Sequence, residues 1–279
     1  MRFPFLVRLL LGCLGLYGAV TLAAFLLQRR MMYAPERYGE AEAMRMAKAR
    51  GLEPWRDAKG ALRGWRRAGV PGAPCVVVFH GNAGAALDRD YFVPLMGGRE
   101  VILLEYQGYG CRPGEPSQSA MVADAAEALA RLRDEGRGPI LLLGESLGSG
   151  VAAHAAARVP GAVSGMLLVT PVARMADVAA MHYPWLPIRL LLRERWDNAA
   201  AIRDFPGPVA ILVAGQDEVV GAAQGHGLAA ACRKARLWEQ PEAGHNSVDV
   251  RPGAAPWGEM LAWLDAGSGR ALGKQNTQR

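Results

Sequence analysis

Three side chains that could together make a reactive oxygen lie far apart in this sequence: Ser146, Asp217 and His245. A serine hydroxyl is a weak nucleophile until a base takes its proton. A histidine serves as that base when a carboxylate fixes its tautomer and stabilises the imidazolium. Ser146 is the centre of Gly144-Glu145-Ser146-Leu147-Gly148, which follows the apolar run Ile140–Leu143 and opens the helix-like stretch Leu147–Arg158. For the oxygen to stand clear of a sheet, the backbone must make a strained turn between strand and helix. Residues two before and two after the serine then crowd each other, and both are glycine here.

The same glycines fit a second chemistry. Gly148-Ser149-Gly150-Val151-Ala152-Ala153 matches G-x-G-x-x-A at a helix start. A dinucleotide site also wants an acid at the end of the following strand. That strand ends in Val169-Thr170-Pro171, with no acid before Asp177, and no G-x-x-x-x-G-K-[ST] occurs. Nucleotide binding is set aside, and no cofactor is expected. Gly150 is read as a helix-packing residue.

The elements that must position these residues follow from the apolar pattern. Strand-length runs are Cys75–Phe79, Val101–Tyr106, Ile140–Leu143, Met166–Val169 and Val209–Ala214, with a weaker one at Arg236–Glu239. Helix-like segments Ala120–Glu135, Leu147–Arg158 and Ala222–Lys234 separate most of them, and 55–65 reads as an opening hairpin. Continuous apolar runs mean strands buried on both faces, and intervening helices mean crossover connections. The fold class is α/β, a doubly wound and mostly parallel sheet.

In such a sheet ligands bind beyond the carboxyl ends of the strands. Ser146, Asp217 and His245 each follow a different run, in the chain order Ser, Asp, His. Asp217 could be an ordinary loop carboxylate, and Glu218 beside it is the substitute acid. His245 lies in a loop, Glu242-Ala243-Gly244-His245-Asn246-Ser247, rather than on an apolar face. His80 precedes Gly81 and would shape the loop His80–Gly84; His154, His182 and His226 fall in helix-like segments. The backbone N–H groups of Asn82 and Leu147 are the expected oxyanion hole, aided by the positive end of the helix after the serine.

Together "FHGNAG", "LEYQGYGCRPGEPS", "GESLG", "DVAAMHYPWLPIRLLLRERWDN" and "AGHN" resemble the α/β-hydrolase superfamily. More narrowly they are similar to its membrane-anchored branch of small serine hydrolases, which includes eukaryotic protein depalmitoylases and bacterial members. The likeness covers about residues 28–266, including "QRRMMYAPERY". It implies a nucleophile at Ser146, an acid at Asp217, a base at His245 and an oxyanion loop at His80–Gly84. Related sequences often have an arginine before "GYG", where Gln107 stands, and a proline after the acid motif, where Gly221 stands. Neither departure touches the three reactive positions.

The chain has 279 residues, 51% hydrophobic and 21% charged, with a formal charge of +6. Scattered arginines make a poor nucleic-acid footprint; attraction to an anionic membrane surface is the more natural use of the charge, with plain solvation of the surface the alternative. Cys13, Cys75, Cys111 and Cys232 have no metal spacing, so no metal site and no disulfide framework is expected.

The run Leu9–Gln28 carries no charge and is long enough to cross the roughly 30 Å hydrocarbon core. A cleaved signal peptide would want a shorter apolar region and a clearer site than Thr21-Leu22-Ala23. Leu10-Leu11-Gly12-Cys13 looks like a lipoprotein box, but too short an apolar run precedes it, and a buried core helix is the third rival. A single-pass anchor at about 9–28 within residues 1–30 is the expectation. Arg29, Arg30, Arg37, Arg45, Lys48 and Arg50 follow the span, against Arg2, Arg8 and the terminal amine before it, a balance that leans toward a cytoplasmic body.

Residues 31–266 are expected as one domain and 267–279 as a disordered tail. The segment Arg174–Pro208 is either a short lid or plain packing against the sheet edge; most of its residues suit packing, while an apolar lid beside a membrane would suit acyl chains. The activity expected is cleavage of an ester or thioester through an acyl-enzyme. A peptidase of the same fold and a non-catalytic binding or scaffold protein are the alternatives.

Overall fold

A computed structural model of the chain describes residues 5–275. Arg2, the terminal amine and the last residues of the expected tail, 276–279, lie outside the described residues. The chain opens with α1 (Phe5–Met32), then β1 (Ala34–Pro35), α2 (Glu40–Ala49) and the hairpin β2 (Glu53–Arg56) and β3 (Leu62–Arg67). Next come β4 (Cys75–Phe79), β5 (Ala83–Gly84), a 3-10 segment over Ala86–Met96, β6 (Glu100–Leu104) and α3 (Gln118–Asp134). The elements β7 (Ile140–Glu145), α4 (Leu147–Arg158), β8 (Val163–Val169), α5 (Met175–His182), α6 (Ile188–Leu191) and α7 (Asn198–Ile202) follow. Last are β9 (Val209–Ala214), α8 (Ala222–Ala231), β10 (Ala235–Gln240) and α9 (Trp257–Gln275).

The main sheet has eight strands in the order β10-β9-β8-β7-β4-β6-β3-β2. From β10 to β6 every pairing is parallel, and only β3 and β2 add on antiparallel. Strand alternation divides the apolar runs between two cores. Val77, Phe79, Ile102, Leu142 and Leu168 pack with α3 and α4 on one face. Val76, Val78, Leu103, Leu143 and Leu167 pack with the 3-10 segment and α9 on the other. Both neighbours of every strand position meet apolar surface, which is why these runs show no polar alternation.

Two features differ from the sequence reading. Helix α1 is longer than the run 9–28 and reaches Met32. The chain from 267 onward, expected as a disordered tail, continues α9 to Gln275. Trp257, Met260 and Leu264 face the core at helical spacing, and Ser268 follows on the same stripe, buried, its hydroxyl donating to the Ser164 carbonyl at 3.2 Å. A Gly-Ser composition hides a helix of this kind, because packing of one face outweighs weak propensity.

Candidate active site

Between β7 and α4 the chain reverses sharply at Ser146, whose φ of 51° and ψ of −118° are unusual for a side-chain-bearing residue. Its amide donates to the Val169 carbonyl of β8 at 2.9 Å, so the neighbouring strand supports the strained turn. The flanking glycines are required by space. A Cβ on Gly144 would lie 2.7 Å from the Gly148 carbonyl oxygen, and one on Gly148 would collide with the Phe79 carbonyl of β4. Gly150 lets α4 approach Trp196 and Asn198: a Cβ there would be 2.7 Å from the indole.

Asp217 follows β9 and His245 follows β10, and the tertiary fold brings both to Ser146. The imidazole Nδ1 lies 2.8 Å from Asp217 Oδ2, and Nε2 lies 3.0 Å from Ser146 Oγ. With Nδ1 carrying the hydrogen, Asp217 accepts and Nε2 is free to accept from the hydroxyl. Asp217 Oδ1 in turn accepts from the amides of Val219, Val220 and Gly221 at 3.0, 2.8 and 3.3 Å. Burial opposes charge on Asp217. The hydrogen bonds from His245 and from the Val220 and Gly221 amides nonetheless hold its carboxyl below the ordinary value of 3.8. Glu218 is no substitute in this geometry: its Oε2 accepts the backbone N–H of His245 at 3.3 Å and steadies the loop, not the ring.

Asn82 and Leu147 line the same pocket as Ser146. Among the described residues neither backbone N–H has a hydrogen-bond acceptor. Both are thus available to an incoming oxygen. The loop that carries Asn82 is held from an unexpected side. The Asn82 carbonyl accepts from the Ala34 amide at 3.0 Å and from the Tyr109 hydroxyl at 2.7 Å, and β1 pairs parallel with β5. His80 is buried under this loop, its Nδ1 2.8 Å from the Gly81 carbonyl and its ring 4.0 Å, centroid to centroid, from that of Tyr106.

Several functional neighbours had no motif to announce them. Arg89 bridges Glu145, beside the serine, at 2.6 Å and the Ala83 carbonyl at 3.1 Å. It ties the turn of Ser146 to the loop of Asn82. His182, read only as a helical residue, lies in the pocket wall, with its Nε2 2.6 Å from the Val219 carbonyl beside the acid. Each depends on contacts between distant segments, which sequence spacing does not encode.

Residues 74–202 match the family model for the alpha/beta hydrolase fold. An uncharacterized protein of Mycobacterium tuberculosis is 34% identical over 236 residues, covering 81% of this chain and 83% of its own. This chain belongs to the α/β hydrolase fold family. A lysophosphatidylserine lipase of Xenopus tropicalis is 30% identical over 138 residues, 46% of this chain and 36% of that protein. Among solved structures, an esterase of Pyrococcus furiosus superposes with a TM-score of 0.61 at 15% identity, covering 84% of this chain and 98% of the esterase.

As an α/β hydrolase fold the chain handles its two departures locally. Gln107 donates to Asp124 at 3.3 Å, and Arg112 and Arg63 each pair with that carboxylate at 2.8 Å, so cations reach it from other positions. Gly221 has φ of 85°, which proline cannot adopt, and its N–H is one of the three on Asp217. Contrary to the sequence reading, this departure touches one of the three candidate residues, because glycine supplies Asp217 with a donor that proline lacks. The pocket over Ser146 has a volume of about 360 Å³ and is walled mainly by apolar side chains.

Proposed function

We propose that this protein is a serine hydrolase that cleaves a carboxylic ester or thioester. The reading rests on one observation above all, the continuous chain of contacts from Asp217 through His245 to Ser146 Oγ. Membership in the α/β hydrolase fold family supports hydrolysis as the reaction class.

In this mechanism His245 Nε2 takes the hydroxyl proton as Ser146 Oγ bonds to the substrate carbonyl carbon. Asp217 stabilises the imidazolium that results. The carbonyl electrons move onto oxygen, where the Asn82 and Leu147 N–H groups and the positive end of α4 receive them. Collapse expels the alcohol or thiol, which leaves with the proton from His245. Water, deprotonated by the same imidazole, then attacks the acyl-enzyme, and the acid product departs from a regenerated Ser146. No metal or cofactor enters these steps.

The α1 helix has a mean hydropathy of 2.1 over its most apolar window, none of it buried. In the same reading α1 is a single-pass membrane anchor and residues 31–266 the catalytic domain. The excess of basic residues after the apolar run, from Arg29 on, favours a body on the cytoplasmic side in this reading. A reporter fused to the carboxyl end checks this assignment.

A fluorophosphonate probe tests the nucleophile. It is expected to label the wild-type protein and not Ser146→Ala; a folded wild type that resists labelling overturns the proposal. p-Nitrophenyl esters compared with aminoacyl anilides then separate esterase from peptidase action.

A further inference from the structure

The helix read as an anchor does not merely tether the domain. Ala24, Gln28, Met31 and Met32 line the pocket that holds Ser146. Their spacing, i, i+4, i+7 and i+8, is one face of α1. Val178, Ala179, Tyr183 and Leu186, from α5 and the turn after it, line the same pocket. The segment read as lid or packing is therefore a pocket wall, and the other wall is the apolar helix.

This arrangement is fixed by polar contacts rather than by grease alone. The Gln28 amide nitrogen donates to the Leu191 carbonyl at 3.2 Å, and its oxygen accepts the Arg193 amide at 2.7 Å. One residue on, Arg29 donates to Glu194 at 2.8 Å, and the Tyr33 hydroxyl donates to the other oxygen of that buried carboxylate at 2.6 Å. A buried charge with several donors holds its partners in one geometry, because losing any of them leaves it under-satisfied. A simple tether would need none of this.

The dimensions place that wall at a membrane boundary. With Ala24 onward committed to the pocket, the uncharged Leu9–Ala23 remains, about 22 Å at a rise of ~1.5 Å per residue. With Arg8 snorkelling to the far interface, that spans a hydrocarbon core of roughly 30 Å with modest local thinning. The Tyr17 hydroxyl donates to the Trp185 carbonyl at 3.0 Å, so the tip of the lid segment reaches down α1. By helix rise, Tyr17 lies about 9 Å beyond Ala23, within the depth at which interfacial segments rest. Trp185 is 54% exposed and Leu190 85%, and Tyr183 is also open to the outside. Large apolar and aromatic side chains so placed suit the lipid interface and are costly in water.

We infer that the last turns of α1 are a wall of the acyl-binding site, so that the membrane helix itself selects the long single acyl chains of bilayer lipids. The inference rests on the reading of Ser146 as an acyl-accepting nucleophile. The occupant is the chain of a monoacyl lipid ester, which passes from the bilayer between α1 and the lid segment with its carbonyl at Ser146 Oγ. A bilayer chain is already out of water, so length is read through the contacts the chain makes with α1 and the lid segment rather than through hydrophobic transfer.

The test uses the full-length protein in phosphatidylcholine vesicles, supplied with monoacylglycerols of graded chain length, with fatty-acid release as the readout. Wild type is expected to favour sixteen-carbon over eight-carbon chains. Ala24→Trp fills the pocket from α1 and Ala179→Trp from α5. Each should lower the long-to-short ratio of kcat/KM at least about fivefold, by removing those contacts. Ala23→Trp, on an exposed position of α1, should leave the ratio within about twofold. Fluorophosphonate labelling of each variant reports an intact site, and Ala24→Leu replaces Ala24→Trp if labelling is lost. An unchanged ratio in the labelled Ala24 variant overturns the inference. So does cleavage of an S-palmitoyl peptide in the same vesicles without cleavage of monoacylglycerol. A wild type that is labelled yet shows no preference for length overturns the inference and leaves the hydrolase reading standing; a wild type that is not labelled overturns both.

Discussion

The side-chain amide of Asn82 donates to the Met32 carbonyl at 3.1 Å, joining the loop beside Ser146 to the last turn of α1. Asn82 contributes to the proposed chemistry through its backbone N–H, and its side chain only positions that N–H. Asn82→Ala keeps the donor and removes the tie. A neutral hydrogen bond is worth about 1 kcal/mol, so kcat/KM for a p-nitrophenyl ester is expected to fall about fivefold. The fall should appear mainly in kcat. Labelling by fluorophosphonate should persist.

Asp217 and Glu218 are neighbours with different work, and conservative amides separate them. Asp217→Asn leaves a ring partner that cannot hold the imidazole in its working tautomer, and kcat should drop on the order of 10⁴-fold. Glu218→Gln keeps an oxygen for the His245 amide, and kcat should stay within about threefold. Steady-state kinetics of the two variants under one buffer checks both. Equal losses would assign the acid wrongly.

The lowered pKa of Asp217 has a consequence for stability. A carboxyl held below its unfolded value stabilises the fold above that value, and the contribution disappears as pH falls through the lowered one. Chemical denaturation should show a stability gap between wild type and Asp217→Asn at about pH 5. Below about 4 it should shrink. A gap that widens with acid would contradict this sign.

Gly148→Ala should be among the most damaging single substitutions in the chain. Its Cβ meets the Phe79 carbonyl of β4, which the sheet holds and which cannot yield as a flexible side chain would. The expected loss is more than about 3 kcal/mol of stability, read from denaturant midpoints or from failure to accumulate folded protein. Substituting Gly253, around which a Cβ would meet open space, carries only the milder cost of its left-handed backbone, about 1 kcal/mol.

What the sequence determines here is local and periodic. Runs such as Cys75–Phe79 and Val209–Ala214 are apolar at every position because alternate residues face two different cores, so strand, burial and parallel order follow from the pattern itself. Gly144 and Gly148 flank Ser146 because a turn that lifts a side chain off a sheet leaves no room for a Cβ, and spacing records that constraint directly. The positions of Asp217 and His245 after later strands follow from the same order of elements. The helix through Ser268 was hidden, since one buried stripe outweighs a Gly-Ser composition that argues against a helix. Sequence order already favours Asp217 over Glu218, and the fold adds where the loop turns each carboxylate, one to the ring and the other to the backbone of His245. The rest belongs to tertiary structure alone. The pairing of β1 with β5, the bridge of Arg89 to Glu145 and the face that α1 turns to the pocket each join segments tens of residues apart or more. Hydrogen bonds and contacts of that range depend on distance in space, and only the packed fold sets it.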